Sequence, residues 1–568
     1  MTIRCTADII YLDIFLKGGV ALNSFYTYFF MIARWFIALC SLGVAAAWIH
    51  YFIKTKKHRL PLAAFVTPDG ISIDIFATEN IIGRSSADIN LPIRGVHKRH
   101  AALSFKNNHW YLAPLEGKVA INLQNVRHPA PLDYGDNVTV AGQTLTFKYK
   151  KQENVSSNSE PKGFLPMLLL TAFQILICIS VSLRFISELN LLIPISFLAL
   201  VFGEWCWFII NQCTQNGKML LEIPILYLST LGLAVCSCSM PEQLLKQIIC
   251  YAAGFVGFIL LSVLLKFKDF WIKIQRVIML LSLALLYYTA FFGSQINSSR
   301  NWLKIGSFSF QPSELCKVAF VISGAITLYL LNKNKIRRFE FLVYSALCMG
   351  ALAVMLDFGA VAIFFIGLMV ILTLRGEHPL ILGGIFGAAL VGILGIIWLY
   401  PYVARRFSVW LHAWEYAGST GYQQTRTMMS FASGGLLGVG GGNGYLNQIP
   451  AAETDLVYGI IGEEWGAIVA VVAAFFIIAI CLYGYRLVRH STCVFDAVTV
   501  GGAVAMLIFQ SALNIFGSVD MLPLTGVTLI FVSVGGTSLI SAWLMLSFFK
   551  SAELHKQSVE QWRISEDE

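Results

Sequence analysis

Asp357 stands in VMLDFGAV, between two apolar runs, where an unpaired carboxylate is costly and an apolar residue would serve as well. A carboxylate kept in such a place suits a general base or a ligand for a divalent cation. Directly ahead of the run that begins at Phe358, it also suits a helix N-cap, and the two uses are compatible. Upstream, NSSRNWLKIGSFSFQPSELCK gathers Arg300, Lys304, Glu314 and Lys317 at the end of an apolar span. Glu314 and Lys317 are three residues apart, so on a helix they share a face and can pair, and an intramembrane pair of this kind is expected to face a cavity. Lys304 equally suits a snorkelling interfacial charge. A long connection downstream carries Arg405, Arg406 and Arg426, the glycine-rich SGGLLGVGGGNG (Ser433 to Gly444), and ETDLVYGIIGEEWG with Asp455, Glu463 and Glu464. Arginines meet phosphate oxygens in bidentate fashion, and glycines let backbone N–H groups approach an anion. The glycine run lacks a P-loop lysine and follows no strand, which excludes a nucleotide site of that type.

The elements that must position these groups follow from composition. The chain has 568 residues, 57% hydrophobic and 13% charged. That much apolar surface cannot be buried inside a water-soluble chain, so a polytopic α-helical membrane protein is expected. The net charge of +9 is spread over short loops and forms no basic face for nucleic acid. The cysteines lie mostly in apolar runs and match no metal-binding spacing.

The first apolar run, Ser24 to Ile53, is followed by KTKKHR, which marks an uncleaved first span with its C-terminal end in the cytoplasm and the N-terminus outside. Residues 60–150 alternate polar and apolar positions between turn residues, the texture of an inserted β-sandwich. Twelve further spans are expected at about 164–184, 189–212, 219–240, 243–266, 272–292, 314–332, 339–356, 358–375, 379–400, 456–485, 496–519 and 525–549, about thirteen in all. Lys/Arg-rich connections, KFKDFWIK, NKNKIRR, RGEH, RLVRH and the tail after Lys550, place the β-domain and the C-terminus in the cytoplasm and the Asp357 group outside. The expected division is 1–59 anchor, 60–150 β-domain, 151–215 linker with two additional helices, 216–550 membrane core and 551–568 tail. The outer loop Pro401 to Asp455, about 55 residues with several aromatics, is of a length that is usually functional.

These blocks resemble the SEDS family of shape, elongation, division and sporulation proteins (RodA, FtsW, SpoVE). The resemblance runs through RNW, QPSE and Lys317, then DFG at Asp357, GYQ and SGG in the long loop, TD…EEWG from Thr454, and PLTG with SVGGTS. It implies a core of ten helices and peptidoglycan glycosyltransferase activity on lipid II at the outer face of a bacterial cytoplasmic membrane, in elongation, division or sporulation. It also implies Asp357 as the catalytic aspartate and Glu314, Lys317, Thr454 and Asp455 as functionally sensitive positions; these four, with Arg300 and with Arg405 or Arg406 against the departing lipid pyrophosphate, are the expected substrate-binding residues. A Mg or Mn ion, with Asp357 as its ligand, and a class B penicillin-binding protein as partner belong to the same picture. The pattern departs at Met355-Leu356, Ala451, Arg426, Ile530 and Val534, where the family carries other residues. Many spans with intramembrane charges also suit a flippase for lipid-linked precursors, and a sensor domain on a membrane core suits a non-catalytic scaffold.

The β-domain resembles forkhead-associated (FHA) domains through IIGRSSADINL, GVHKRHAALSF and LDYGDNVTVAGQTLTF. That resemblance implies a phosphothreonine-containing protein as partner, Arg84 against the phosphate, Asn122 against the peptide backbone and His100 as the structural histidine. His97 replaces the serine that usually meets the phosphate, with Lys98 beside it.

Overall fold

The structure is a computed structural model. It describes residues 29–55, 61–84, 87–106, 109–149, 163–185, 190–213, 218–296, 299–305, 308–330, 335–374, 379–491 and 493–567. The N-terminal residues before the first helix, most of KTKKHR, the linker through Lys162, the start of NKNKIRR and all of RGEH lie outside the described residues, as does the placement of the N-terminus outside.

In lipid a backbone satisfies its own N–H and C=O groups by forming helices, and the apolar runs do so. The first helix, α1 (Phe29–Lys54), precedes the β-domain. After it come α2 (Phe164–Arg184), α3 (Leu192–Cys213), α4 (Glu222–Ser239), α5 (Leu244–Leu264), α6 (Lys268–Phe292), α7 (Pro312–Leu330), α8 (Lys335–Val354), α9 (Phe358–Leu374) and α10 (Pro379–Leu399). The long loop folds into α11 (Pro401–Val409), α12 (Tyr422–Gly434), α13 (Ala452–Asp455) and α14 (Val457–Glu464), and then α15 (Gly466–Arg489), α16 (Val494–Ser518) and α17 (Gly536–Asp567) complete the chain. Among the described residues nine helices are long and apolar enough to cross a membrane, and Phe339–Val354 and Phe358–Leu374 are shorter apolar helices. Two expected spans differ. The one at 456–485 is broken at Trp465, where α14 ends and Gly466 adopts φ +87°; that conformation is costly for any residue but glycine. The one at 525–549 begins only at Gly536, because Pro523 to Gly535 runs irregularly past the site described below.

Helix α16 is central, packing on α7, α9, α15 and α17, while α17 runs along α5. The helices outside the expected core are fastened by buried polar contacts. Trp48 of α1 donates its indole N–H to the Leu220 carbonyl at 2.9 Å, and Gln174 of α2 donates to Glu204 of α3 at 2.8 Å and to Thr230 of α4 at 3.1 Å.

The β-domain is a sandwich, as its alternation predicts. Its strands are β1 (Ala63–Val66), β2 (Ser72–Ile75), β3 (Glu79–Gly83), β4 (Ile89–Asn90), β5 (Ala101–Lys106), β6 (His109–Pro114), β7 (Val119–Ile121), β8 (Gln124–Val126), β9 (Ala130–Leu132), β10 (Asn137–Val140) and β11 (Gln143–Lys148). One sheet has the order β2-β1-β11-β10-β7-β8 and the other β4-β3-β5-β6-β9. Between them lie Phe65, Leu103, Trp110, Leu112, Val138, Leu145 and Phe147, all buried. A small sheet of β12 (Ser294–Ile296), β13 (Ser299–Ile305) and β14 (Phe308–Phe310) fills the connection between α6 and α7.

Candidate active site

At the end of the bundle away from the β-domain, a cavity of about 460 Å³ opens between the small sheet, the α8–α9 turn, α7, α13 and the segment ahead of α17. Its wall includes Glu314, Lys317, Asp357, Arg406, Thr454 and Asp455, residues drawn from sequence positions more than a hundred apart.

Asp357 sits in the α8–α9 turn behind Leu356, which is held at φ +60°. Its Oδ1 accepts the Ala360 N–H at 3.1 Å, so it does cap α9. Its Oδ2 accepts from Asn301 Nδ2 at 2.9 Å and from Gln311 Nε2 at 3.4 Å. Strand β13 is stitched to the same turn by the Arg300 N–H, which donates to the Met355 carbonyl at 3.0 Å. Both carboxylate oxygens are therefore engaged by N–H donors. Asp357 thereby ties the α8–α9 turn to the small sheet.

Glu314 and Lys317 pair as their spacing predicts, Nζ to Oε2 at 2.8 Å, with both side chains buried. Lys317 also donates to Gln510 Oε1 of α16 at 2.7 Å, and Gln510 in turn donates to the Thr528 carbonyl at 3.0 Å. A buried pair is tolerable only when its remaining donors and acceptors are met, and here α16 meets them.

Asp455 ends α13. Asn514 of α16 donates to its backbone carbonyl at 3.1 Å and to that of Val527 at 2.7 Å. The Ser533 hydroxyl donates to the Thr454 carbonyl at 2.6 Å. A Cβ on Gly526 would come within 3.2 Å of Asp455 Oδ2, and the residue has φ +71°, so glycine there keeps space open beside the carboxylate. Burial pushes the Asp455 carboxyl up to about 6, against opposing effects from the Thr454 hydroxyl and the Arg406 guanidinium. Arg406 is fixed by donating to the Leu524 carbonyl at 2.5 Å.

A family model described as "Cell cycle protein", covering FtsW, RodA and SpoVE, matches residues 219–558. The chain belongs to the FtsW/RodA/SpoVE family. It is 34% identical over 300 residues to a protein of Nitrosococcus halophilus named "Probable peptidoglycan glycosyltransferase FtsW", covering 50% of this chain and 76% of that one. It is 27% identical over 376 residues to a protein of the same name from Tolumonas auensis, covering 62% and 96%. A solved structure titled "Structural coordination of polymerization and crosslinking by a peptidoglycan synthase complex" shares the fold, with TM-score 0.50 and 24% identity over 59% of this chain and 97% of that one. An FHA-domain model matches residues 80–141.

Within this FtsW/RodA/SpoVE core, two residues expected in the site stand outside the cavity wall. Arg300 is exposed while its neighbour Asn301 is buried and lines the cavity, because successive residues of a strand face opposite ways. Arg405 is exposed while Arg406 turns inward, because neighbours on a helix point about 100° apart. Arg426 lies over the Tyr422 ring, 5.2 Å from its centroid, away from the cavity. The glycine-rich stretch does approach an anion, but the anion is the chain's own Glu463. Its carboxylate accepts the N–H groups of Tyr445 and Leu446, both at 3.0 Å. A Cβ on Gly434 would stand 2.2 Å from the Gly462 carbonyl oxygen, so at that position glycine serves close packing against α14. Asn301, Gln311, Gln510, Asn514 and Arg406's partner Leu524 complete the site and were not singled out in the sequence. The first four are neutral amides: Asn301 and Gln311 fall within RNW and QPSE, while Gln510 and Asn514 are signalled only by their position in an apolar helix. No group of three or more His, Cys, Asp or Glu stands together as a metal site among the described residues.

In the FHA domain, the Arg84 N–H donates to the His97 carbonyl at 3.0 Å, so exposed Arg84, His97 and Lys98 share one edge. His100 is buried beneath it, with Nδ1 accepting the His97 N–H at 3.2 Å and Nε2 3.0 Å from the Lys118 carbonyl. This is the structural part the resemblance implied. Asn122 makes contacts within the domain. It occupies the β7–β8 turn at φ +48°, its Oδ1 accepts the Asn137 N–H at 2.9 Å, and its Nδ2 donates to Asp136 at 2.7 Å. Its amide holds that turn against β10.

Proposed function

We propose that the chain polymerises lipid II into glycan strands at the outer face of a bacterial cytoplasmic membrane, with the FHA domain and the C-terminus in the cytoplasm and the N-terminus outside. The observation that carries this is the cavity itself, which gathers a desolvated carboxylate, a fixed guanidinium and a buried ion pair at the end of the bundle opposite the FHA domain. Glycosyl transfer needs a base for the acceptor hydroxyl and positive charge for the departing pyrophosphate. Asp455 is the better base. Burial pushes its carboxyl up to about 6, toward the range in which a general base is most effective, and Gly526 keeps space open beside it, whereas both oxygens of Asp357 already accept hydrogen bonds. As the new C1–O bond forms, the acceptor proton passes to Asp455 and the C1–O bond to pyrophosphate breaks. Arg406 and Lys317 face the charge that develops on the leaving group. A Mg or Mn ion would add charge there when bound. Mg sites commonly combine one or two carboxylates with substrate phosphates, and Glu453 is the cavity carboxylate left to share it.

The family neighbour solved within a peptidoglycan synthase complex supports a class B penicillin-binding protein as partner. The basic edge around Arg84 supports a phosphothreonine-containing protein as the FHA ligand. The test is polymerisation of purified lipid II by the purified chain together with an active partner transpeptidase. Glycan strands from the wild type and none from Asp455→Asn are expected. Strands of normal yield from Asp455→Asn would reject the assignment of the base.

A further inference from the structure

Resting on the polymerase reading above, we infer that the FHA domain sets the working position of α7 through one hydrogen bond, which makes Glu79 and Tyr329 positioning residues for the reaction. The Tyr329 hydroxyl donates to Glu79 Oε1 at 2.7 Å. Tyr329 lies at the last turn of α7, and Glu314 and Lys317 lie in its first two turns. At about 1.5 Å per residue, the helix carries Tyr329 about 18 Å from Lys317 as a single rod. Glu79 opens β3, and Arg84 follows directly after the same strand, about 17 Å away at the usual rise of a strand. One strand and one helix, joined by one hydrogen bond, thus connect the basic edge to the buried ion pair.

The contact closes a polar cluster at the inner ends of the core helices. Lys268, at the start of α6, attracts Glu79 and lies 2.9 Å from Cys493 Sγ. It also faces Asp496 of α16, whose Oδ2 is 2.6 Å from His555 Nδ1 of α17. At its outer end α7 is tied to the same two helices, by Lys317 to Gln510 and by the Ser541 hydroxyl to the Glu314 carbonyl at 2.7 Å. Interiors packed this tightly pass a shift at one end of a helix to the other without absorbing it. Releasing Tyr329 frees the inner end of the rod whose outer end presents Lys317 to the cavity.

The experiment uses the full chain in lipid nanodiscs with its transpeptidase partner. Tyr329→Phe and Glu79→Ala should each lower kcat for lipid II about tenfold or more with KM unchanged, the size expected for a hydrogen bond to a charged acceptor. Glu79→Gln, which keeps an acceptor oxygen, should restore most of the rate, and the double variant Glu79→Ala/Tyr329→Phe should be no worse than either single one. Without substrate, amide hydrogen exchange over residues 312–318 should quicken in Tyr329→Phe. An unchanged or raised kcat in Tyr329→Phe, additive losses in the double variant, or unchanged exchange overturns the inference. Should the wild type fail to polymerise lipid II, the polymerase reading falls, and the exchange measurement alone decides whether the FHA domain sets α7.

Discussion

The cavity and the basic edge of the FHA domain both gather charged side chains, but under opposite solvent conditions. In the cavity, Glu314, Lys317 and Asp357 are buried, and each has named partners within hydrogen-bond reach. At the FHA edge, Arg84, His97 and Lys98 are exposed to water. A buried charge stripped of its partner costs several kcal/mol, whereas an exposed one costs about 1 kcal/mol or less. The cavity therefore constrains its amides as strictly as its charges, while the edge can exchange serine for histidine and still keep its backbone frame through His100.

Substitutions in the two regions should sharpen this contrast. The largest effect is expected for Asp455→Asn, a loss of lipid II polymerisation of about a hundredfold or more. Asp357→Asn keeps an oxygen to cap α9 and should lose far less, about tenfold, by loosening Asn301 and Gln311. Equal losses in a lipid II gel assay would put Asp357 back among the reacting groups. Lys317→Met strands Glu314 and should destabilise the core by about 3–5 kcal/mol, read as the unfolding midpoint in detergent. Adding Glu314→Gln should recover part of that loss, and the absence of any recovery would mean that the pair is not coupled.

Acidity provides a third probe. Because burial pushes the Asp455 carboxyl up to about 6 from its ordinary 3.8, the folded chain keeps a proton that the unfolded chain has released between those values. Stability should therefore fall as pH rises from about 4 to about 6. Over the same limb the base becomes available, so the polymerisation rate should rise through about pH 6, and Asp455→Asn should flatten both profiles. At the exposed edge, Arg84→Ala should weaken a phosphothreonine peptide about tenfold or more in a fluorescence-anisotropy titration. The smallest effect is expected for His100→Ala, which unpairs the His97 N–H and the Lys118 carbonyl and should cost the FHA domain about 1–3 kcal/mol in its own thermal transition.

The sequence made legible those features that follow from local periodicity. The Glu314–Lys317 pair follows from a spacing of three, the cap at Asp357 from its place ahead of an apolar run, and the sandwich from alternation between turns. Features set by long-range packing were hidden. Arg405 and Arg406 look alike in a string, and only the rotation of α11 decides which of them reaches the Leu524 carbonyl. The glycine run reads as an anion cradle until Glu463 is brought beneath it. Trp465 and Gly466 directly follow Glu463 and Glu464 inside the span expected at 456–485, and the break between α14 and α15 depends on contacts with the loop around Gly438. Gln510 and Asn514 resemble stray polar residues in a membrane helix until α7 and α13 arrive on either side.

Helix α1 ends in contacts that fix it to the core. Arg486 of α15 donates to the carbonyls of Phe52, at 3.2 Å, and Thr55, and the Tyr51 hydroxyl accepts the Met219 N–H at 3.1 Å. From Thr55 to Pro61, just ahead of the FHA domain, the chain can span at most about 20 Å even when fully extended. The domain is thus leashed to the membrane core, and its search for a partner is two-dimensional. Partners already at the membrane meet it at high effective concentration, and affinity that would be too weak in solution can suffice there.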